Sequence, residues 1–395
     1  MTTTSAIYLD YAATTPVDPE VFEAMLPWLK DQFGNSSSIH QYGTRARVAL
    51  EDARQSVAER LGVTLPEVVF TSGGTEGNNA AIQGLAFHAR KRGKTHIITS
   101  RAEHNAVLQP IAFLESQGWT VSWLTPDSDG VIRADQVRDA IREETGFVSL
   151  MHVNNELGSV NPIEEITRIC READVPIHCD AVQSAGKLDI GSWDDAVRPD
   201  LMSLSAHKLY GPKGVGALIV HKDADWEPWM KGGSQERNRR GGTVNVPGVV
   251  GLQRALELAT DRQENDRAHI VAIREAILDG IRTRFGSMVR LNSPAEGGLP
   301  HILNLRVACS SEDPIDGEML LLNLDIEGIC LSNGSACTSG AVEPSHVLTT
   351  IGLEPHEANA SMRVSLGRIN RLDDAKSFVD ALERVLQRMK RTIPG

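Results

Sequence analysis

Three short segments carry residue types that can do chemistry together. Residues 71–78 read TSGGTEGN, with Gly73, Gly74 and Thr75 at a turn between an apolar run and a helical pattern. Small residues there let backbone N–H groups approach a phosphate, and the start of the helix favours the anion. The segment is neither a Walker A loop nor a GxGxxG turn, which disfavours nucleoside triphosphates and dinucleotides. Residues 178–184, HCDAVQS, place Asp180 at the C-terminal end of an apolar run, where open α/β sheets build their sites. A carboxylate there can keep a pyridinium nitrogen protonated, or it can simply cap a helix. Residues 203–214, SLSAHKLYGPKG, follow another such run. Lys208 can form a Schiff base, with Ser205 and His207 beside it as phosphate donors. Desolvation beside other positive groups makes such an amine nucleophilic. Lys213 is its rival, placed inside a Gly-Pro turn.

Two further residues narrow the chemistry. Arg363, in SMRVSLGR, can clamp a carboxylate through its planar guanidinium or serve in an ordinary salt bridge. Cys337, in SNGSACTSG, sits among polar and small residues rather than on an apolar face, the setting in which a thiol can ionise and attack. Cys170 and Cys179 lie in apolar patterns and are expected to be inert core residues, as are Cys309 and Cys330 beside strands.

The elements that position these residues alternate. Apolar runs at 68–71, 96–100, 121–124, 148–153, 176–180, 201–205 and 215–220 are predicted strands. Between them lie helical stripes such as Ala46, Ala49, Ala53, Val57 and Leu61. This alternation predicts an α/β fold with a mainly parallel seven-stranded sheet. The last third reads as a smaller α+β unit: one long helix over 249–284, strands at HILNLRV, GICLS and SMRVSLG, and a final helix from Ala375 to Met389. The stretches 231–247 and 332–340 are rich in Gly and polar residues, and are expected to be mobile loops. The order strand–GGT–helix, strand–Asp, strand–S-x-HK is that of a fold-type I pyridoxal phosphate (PLP) site.

Composition bounds the partners. The chain has 395 residues, 40 Lys+Arg against 52 Asp+Glu, and a net charge of −12, which argues against direct nucleic-acid binding. MTTTSAIYLDYAATTP has no basic start or long apolar core, so no secretory signal or membrane anchor is expected, and the predicted location is cytoplasmic. Five cysteines without a CxxC predict neither a disulfide scaffold nor a zinc ribbon, and no metal site is expected.

The chain resembles the PLP-dependent cysteine desulfurases of the NifS/IscS-like group, in the class V aminotransferase superfamily. The resemblance runs nearly end to end through YLDYAATTP, TSGGTEGNN, AEHNAV, MHVNNELG, HCDAVQS, SAHKLYGPKG, GGSQERNRRGGT, NGSACTSG and RVSLGR. It implies that Lys208 carries the cofactor, Asp180 pairs with the pyridine nitrogen, Gln183 bonds the ring hydroxyl and His104 stacks on the ring. Gly74, Thr75, Ser205 and His207 would hold the phosphate. Thr243 would reach the phosphate of the partner subunit, which implies a homodimer. Asn155 and Arg363 would bind the carboxylate of L-cysteine, and Cys337 would take its sulfur as a persulfide, leaving alanine. A protein sulfur acceptor such as an iron–sulfur scaffold is the implied partner. The resemblance divides the chain into a large PLP-binding domain, 15–262, and a small domain of 1–14 with 263–395. Gly77, Asn333 and Gly241 depart from the commoner residues of the family pattern without removing a reactive group. A selenocysteine lyase, an aminotransferase of the same fold, a silent assembly subunit, or a cluster held by Cys309, Cys330 and Cys337 are the competing readings.

Overall fold

The protein is described by a computed structural model covering residues 6–334 and 344–391. A short first strand, β1 (Ile7–Tyr8), precedes helices α1 (Pro19–Lys30) and α2 (Gln41–Arg60). The seven apolar runs then form one sheet. They are β2 (Val68–Thr71), β3 (His96–Ser100), β4 (Thr120–Leu124), β5 (Thr145–Met151), β6 (Ile177–Asp180), β7 (Leu201–Ser205) and β8 (Gly216–Val220). Their order is β2-β8-β7-β6-β5-β3-β4. All but β4, at one edge, are buried at every position, which is why they lack polar alternation. The pairs from β4 to β7 are parallel, while β8 runs antiparallel to both β2 and β7. The expected sheet is therefore observed, with one strand reversed because β8 returns directly from β7 with Ser205 opposite Gly216.

Helices cover both faces of the sheet. These are α3 (Gly74–Lys91), α4 (Asn105–Ser116), α5 (Ala134–Ala140), α6 (Ile163–Glu172) and α7 (Val246–Asp261). Ile163, Ile166, Ile169 and Cys170 of α6 pack into one core with Ile177, Cys179 and Met202. Ala81, Ile82 and Leu85 of α3 pack into another with Ile97 and Phe147. The C-terminal ends of β6 and β7 thus sit in a doubly covered scaffold.

The C-terminal third has its own core. It contains α8 (Gln263–Phe285), β9 (Val289–Leu291), β10 (Ile302–Val307), α9 (Gly317–Ile326), β11 (Ile329–Cys330), α10 (His346–Thr350), α11 (Pro355–Asn359), β12 (Ser361–Ser365) and α12 (Leu372–Arg388). An antiparallel sheet runs β12-β10-β9, and β1 pairs in parallel with β11. Ile273, Ile277 and Ile281 of α8 meet Phe378, Leu382 and Val385 of α12 over this sheet.

The single helix expected over 249–284 is two. The chain breaks at Arg262, whose φ of −102° and ψ of −1° leave the helical range. Its guanidinium pairs with Asp18 and Glu20, and the flanking run Asp261–Asp266 is wholly polar. With no apolar stripe to bury across that turn, α7 packs on α1 and α2 while α8 packs on α12.

Candidate active site

The turn between β2 and α3 opens the site. Gly73, with φ of 147°, provides the N-cap of α3 and offers no side chain to the first amides, so they stay available to an anion. A Cβ at Gly74 would lie 2.6 Å from Val182 Cγ2, and one at Gly73 would lie 3.6 Å from Ser205 Oγ. Thr75 begins the helix beside them. The Gly74→Ala variant is therefore expected to push Val182 aside and to weaken cofactor binding by about 5- to 150-fold, the equivalent of about 1–3 kcal/mol of overpacking. Titration of the apoprotein with PLP checks this.

Asp180 ends β6 and is buried. Its Oδ1 accepts from the Val182 amide at 3.0 Å and its Oδ2 from Asn78 Nδ2 at 2.7 Å. Both bonds leave lone pairs free to accept a third donor. Asn78, one turn into α3, is a site residue that sequence reasoning missed.

Lys208 closes a 3-10 turn, Ala206–Lys208, directly after β7. Its Nζ donates to the carbonyls of Ala12 at 2.6 Å and Ala13 at 2.7 Å. Gln183 Nε2 donates to the same Ala12 carbonyl at 2.9 Å, and Lys187 Nζ donates to Gln183 Oε1 at 3.0 Å. Lys187 was also missed; its bond fixes which end of the amide faces the site. Burial pushes the Lys208 amine down to about 8, aided by Arg363 and opposed by Asp10 and Asp180. An amine reacts with an aldehyde only when neutral. The rate at which the apoprotein couples to PLP is therefore expected to rise with pH through about 8, rather than near the ordinary lysine value of about 10.4. Stopped-flow absorbance over pH 6–10 (roughly the span needed) reads the midpoint.

His207 Nδ1 lies 3.2 Å from Thr14 Oγ1, and burial, with Lys208, Lys213 and Lys187 nearby, brings the imidazole down to about 4. It stays neutral at pH 7, with one N–H to give. His104 caps α4, its Nδ1 accepting the Ala106 amide at 3.0 Å. The proton of the neutral ring therefore sits on Nε2. His104 is open to a cleft it shares with Thr75 and Asn79, yet desolvation by its neighbours still lowers its pKa. Glu103 next to it is fully buried, with Oε1 on the Met151 amide and Oε2 unpartnered. Burial pushes its pKa well up.

Arg363, on β12, is buried against the N-terminal segment. It donates to the Asn155 carbonyl at 2.9 Å, to Asp10 Oδ1 at 2.9 Å and to Ser332 Oγ at 2.9 Å, while Nε has no partner. Asn154 shapes the turn that presents Asn155, its Oδ1 accepting from the Glu156 and Leu157 amides. Asp10 is a third missed residue. Its motif, YLDYAATTP, was visible in the sequence, but its pairing with a residue 353 positions away was not.

The structure thus joins Lys208, Gln183 and His207 through residues 12–14, and Arg363 directly to Asn155. Thr243 stands apart and exposed, beyond Gly242. Cys337 lies outside the described residues. Cys170 and Cys179 are fully buried, the first with its thiol pushed up to about 12 and the second well above its ordinary value. Uncapped helix amides with the neutral His207 imidazole, a carboxylate with spare lone pairs and a buried amine of lowered basicity fit PLP at phosphate, ring nitrogen and aldehyde respectively. Among the described residues no helix is long and apolar enough to cross a membrane.

The chain matches the aminotransferase class-V family over residues 7–378. It is 44% identical over 388 residues to the cysteine desulfurase IscS of Dictyoglomus turgidum, covering 98% of this chain and 96% of that protein. Among solved structures, a NifS-like protein superposes with a TM-score of 0.88 at 34% identity, covering 97% of this chain and 99% of that one. A structure described as SspA in complex with cysteine gives 0.79 at 40% identity, over 92% and 99%.

Proposed function

The chain belongs to the class-V aminotransferase family, among the NifS/IscS-like cysteine desulfurases of fold type I, and from that membership we propose that it converts L-cysteine to L-alanine and a Cys337 persulfide. The observation that carries the proposal is the pairing of a buried amine of lowered basicity, Lys208, with a buried guanidinium, Arg363, that keeps an unspent donor. One holds and releases a proton; the other receives a carboxylate.

Gly74, Thr75, Ser205 and His207 would hold the cofactor phosphate, Asp180 and Gln183 its ring, and Lys208 its aldehyde carbon. Bound PLP supplies an electron sink for charge developing at the substrate α-carbon. Arg363 and Asn155 orient the substrate carboxylate, so that its α-hydrogen points at Lys208. Lys208 takes that proton when its amine is free. His104, with Nε2–H free toward the cleft, would give or take a proton. The Cys337 thiolate then attacks the substrate sulfur. An S–S bond forms as the substrate C–S bond breaks, its electron pair passing to the carbon skeleton, which is protonated and leaves as alanine. An acceptor thiol collects the outer sulfur for iron–sulfur cluster or thio-cofactor synthesis. Selenocysteine, whose C–Se bond is weaker and whose selenium is attacked more readily, would enter the same site.

The working division is 15–262 for the PLP-binding domain, and 1–14 with 263–395 for the smaller one. A cytoplasmic homodimer completes the reading. Phe22, Leu26 and Leu29 on α1 and the nearby Phe33 and Ile39 are exposed, an apolar face that suits a second copy of the chain. Thr243, which is exposed, would enter that copy's phosphate site.

Incubating the PLP-loaded protein with L-cysteine should release alanine and leave a persulfide. The Cys337→Ser variant should keep its lysine-linked cofactor and make no alanine above background. Normal alanine release from that variant would overturn the proposal.

A further inference from the structure

Half of the six non-glycine residues with positive φ among the described residues are consecutive: Glu236 at 44°, Arg237 at 56° and Asn238 at 65°. A left-handed run of L-residues costs roughly 1–2 kcal/mol each, less for Asn, so contacts must impose it. They do. The Glu236 carboxylate is buried and meets Arg54 through two bonds of 2.8 Å, while also accepting the Phe70 amide at 2.8 Å. Arg54, equally buried, donates to the Val68 carbonyl at 2.7 Å and lies over the Phe70 ring. Both strand partners belong to β2, the edge strand that leads into the Gly73–Thr75 turn.

The rest of the segment is stitched down as firmly. Arg239 donates to the Pro66 carbonyl at 2.8 Å, and Arg240 forks onto Glu76 at 2.8 and 3.0 Å. Gln235 Oε1 accepts the Gly242 amide at 3.2 Å, and Gly241 lies so close to Gly232 that a Cβ would come within 2.7 Å of its Cα. That contact also accounts for glycine at 241. Glu51 adds a second carboxylate, 3.3 Å from Arg54 Nε and 2.8 Å from Arg237 Nη2, but burying a carboxylate–guanidinium pair is still seldom a net gain over apolar packing. Its return here is conformational, because the segment it fixes leads to an exposed Thr243.

We infer that Glu236 and Arg54 are positioning residues that hold 235–243 in its left-handed path, so that Thr243 is presented to the cofactor phosphate of the partner subunit. They act in trans, on a site they do not touch. This rests on the shared-site reading above.

The test measures cofactor binding in chain mixtures. The Glu236→Gln homodimer should bind PLP at least about tenfold more weakly, the equivalent of about 1.4 kcal/mol, while sedimenting as a dimer. Adding Asn238→Gly, which relieves left-handed strain without giving up the Arg237–Glu51 ion pair, should recover a small part of the loss. Arg54→Lys, which keeps the charge and loses the fork, should show a smaller loss and serves if the first variant does not fold. In hybrids of Lys208→Ala and Glu236→Gln chains, the one site with a lysine takes its Thr243 from the chain with intact Glu236. Borohydride-reduced, lysine-linked cofactor at that site should titrate with wild-type affinity. Hybrid sites as weak as the Glu236→Gln homodimer would place the effect within one chain and overturn the inference. So would unchanged binding in both variants, or a loss of affinity explained by loss of the dimer. A wild-type protein that is monomeric or takes up no PLP on Lys208 would instead sink the shared-site reading, and that control is read first.

Discussion

Lys208→Ala should lower the rate of alanine release from L-cysteine by at least about 10³-fold, within the 10²–10⁴ range of a lost acid–base group and compounded by the lost covalent anchor. The argument turns on the state of the amine rather than on its charge. Lys208 donates to two backbone carbonyls at 2.6 and 2.7 Å and has been brought down to about 8. The share with a free lone pair therefore rises from about a tenth at pH 7 to about half at pH 8, far above that of an ordinary lysine. Lys208→Arg makes the sharper control, since a guanidinium keeps the positive charge and the carbonyl bonds but never deprotonates in this range. Both variants should be equally inactive, and a small primary amine added to Lys208→Ala should restore part of the rate. Lys208→Arg activity within about tenfold of wild type would show that charge, not proton transfer, is what the residue supplies.

Arg363→Lys should raise KM for L-cysteine by about 10- to 150-fold with a much smaller change in kcat. This corresponds to the roughly 1.5–3 kcal/mol of a charge-assisted hydrogen bond. Arg363 already spends Nη1 and Nη2 on Asn155, Asp10 and Ser332, and among the described residues its Nε has no partner. A lysine can keep the ion pair with Asp10 but has no second, geometrically fixed donor for the substrate. Cysteamine, which lacks the carboxylate, separates recognition from scaffolding. Its turnover should be insensitive to the substitution, so that the preference for cysteine over cysteamine collapses. An equal loss on both substrates would mean that Arg363 matters for holding Asp10 and Ser332 in place, and not for reading the carboxylate.

What the sequence disclosed was what is local in it. Gly73 lies two residues past β2, Asp180 is the last residue of β6 and Lys208 lies three past β7, so a motif read along the chain also gives its place at the end of the sheet. The strands themselves were legible because both faces are buried and their apolar runs are uninterrupted. Pairings across the fold were not. Asp10 meets Arg363 across 353 positions and Arg54 meets Glu236 across 182, and neither charge pattern differs from that of a solvated surface. Asn78 was hidden because only the pitch of α3, started at Gly74, turns its amide toward Asp180. The helix break at Arg262 was missed for the opposite reason. The polar run there looked like the outer face of one helix, while its arginine was bound to Asp18 and Glu20. His104 shows that two readings of a residue can coexist, since it caps a helix with one nitrogen and leaves the other toward the cleft.

The pairing of β1 with β11 sets a timetable for synthesis. Ile7 is among the first residues made, yet its strand partner Ile329 follows 322 positions later. At about 5–20 residues per second this is a wait of roughly 16–64 s. Within that interval the seven sheet strands, complete at Val220, can close around the phosphate turn, Asp180 and Lys208. Residues 7–13 can meet Lys208 early, but their strand register and the Asp10–Arg363 contact cannot form until the chain is nearly finished. A nascent chain thus has its lysine and phosphate turn in place well before Asp10 and Arg363 can meet. On the proposed reading, the order of translation would leave substrate recognition to be completed last.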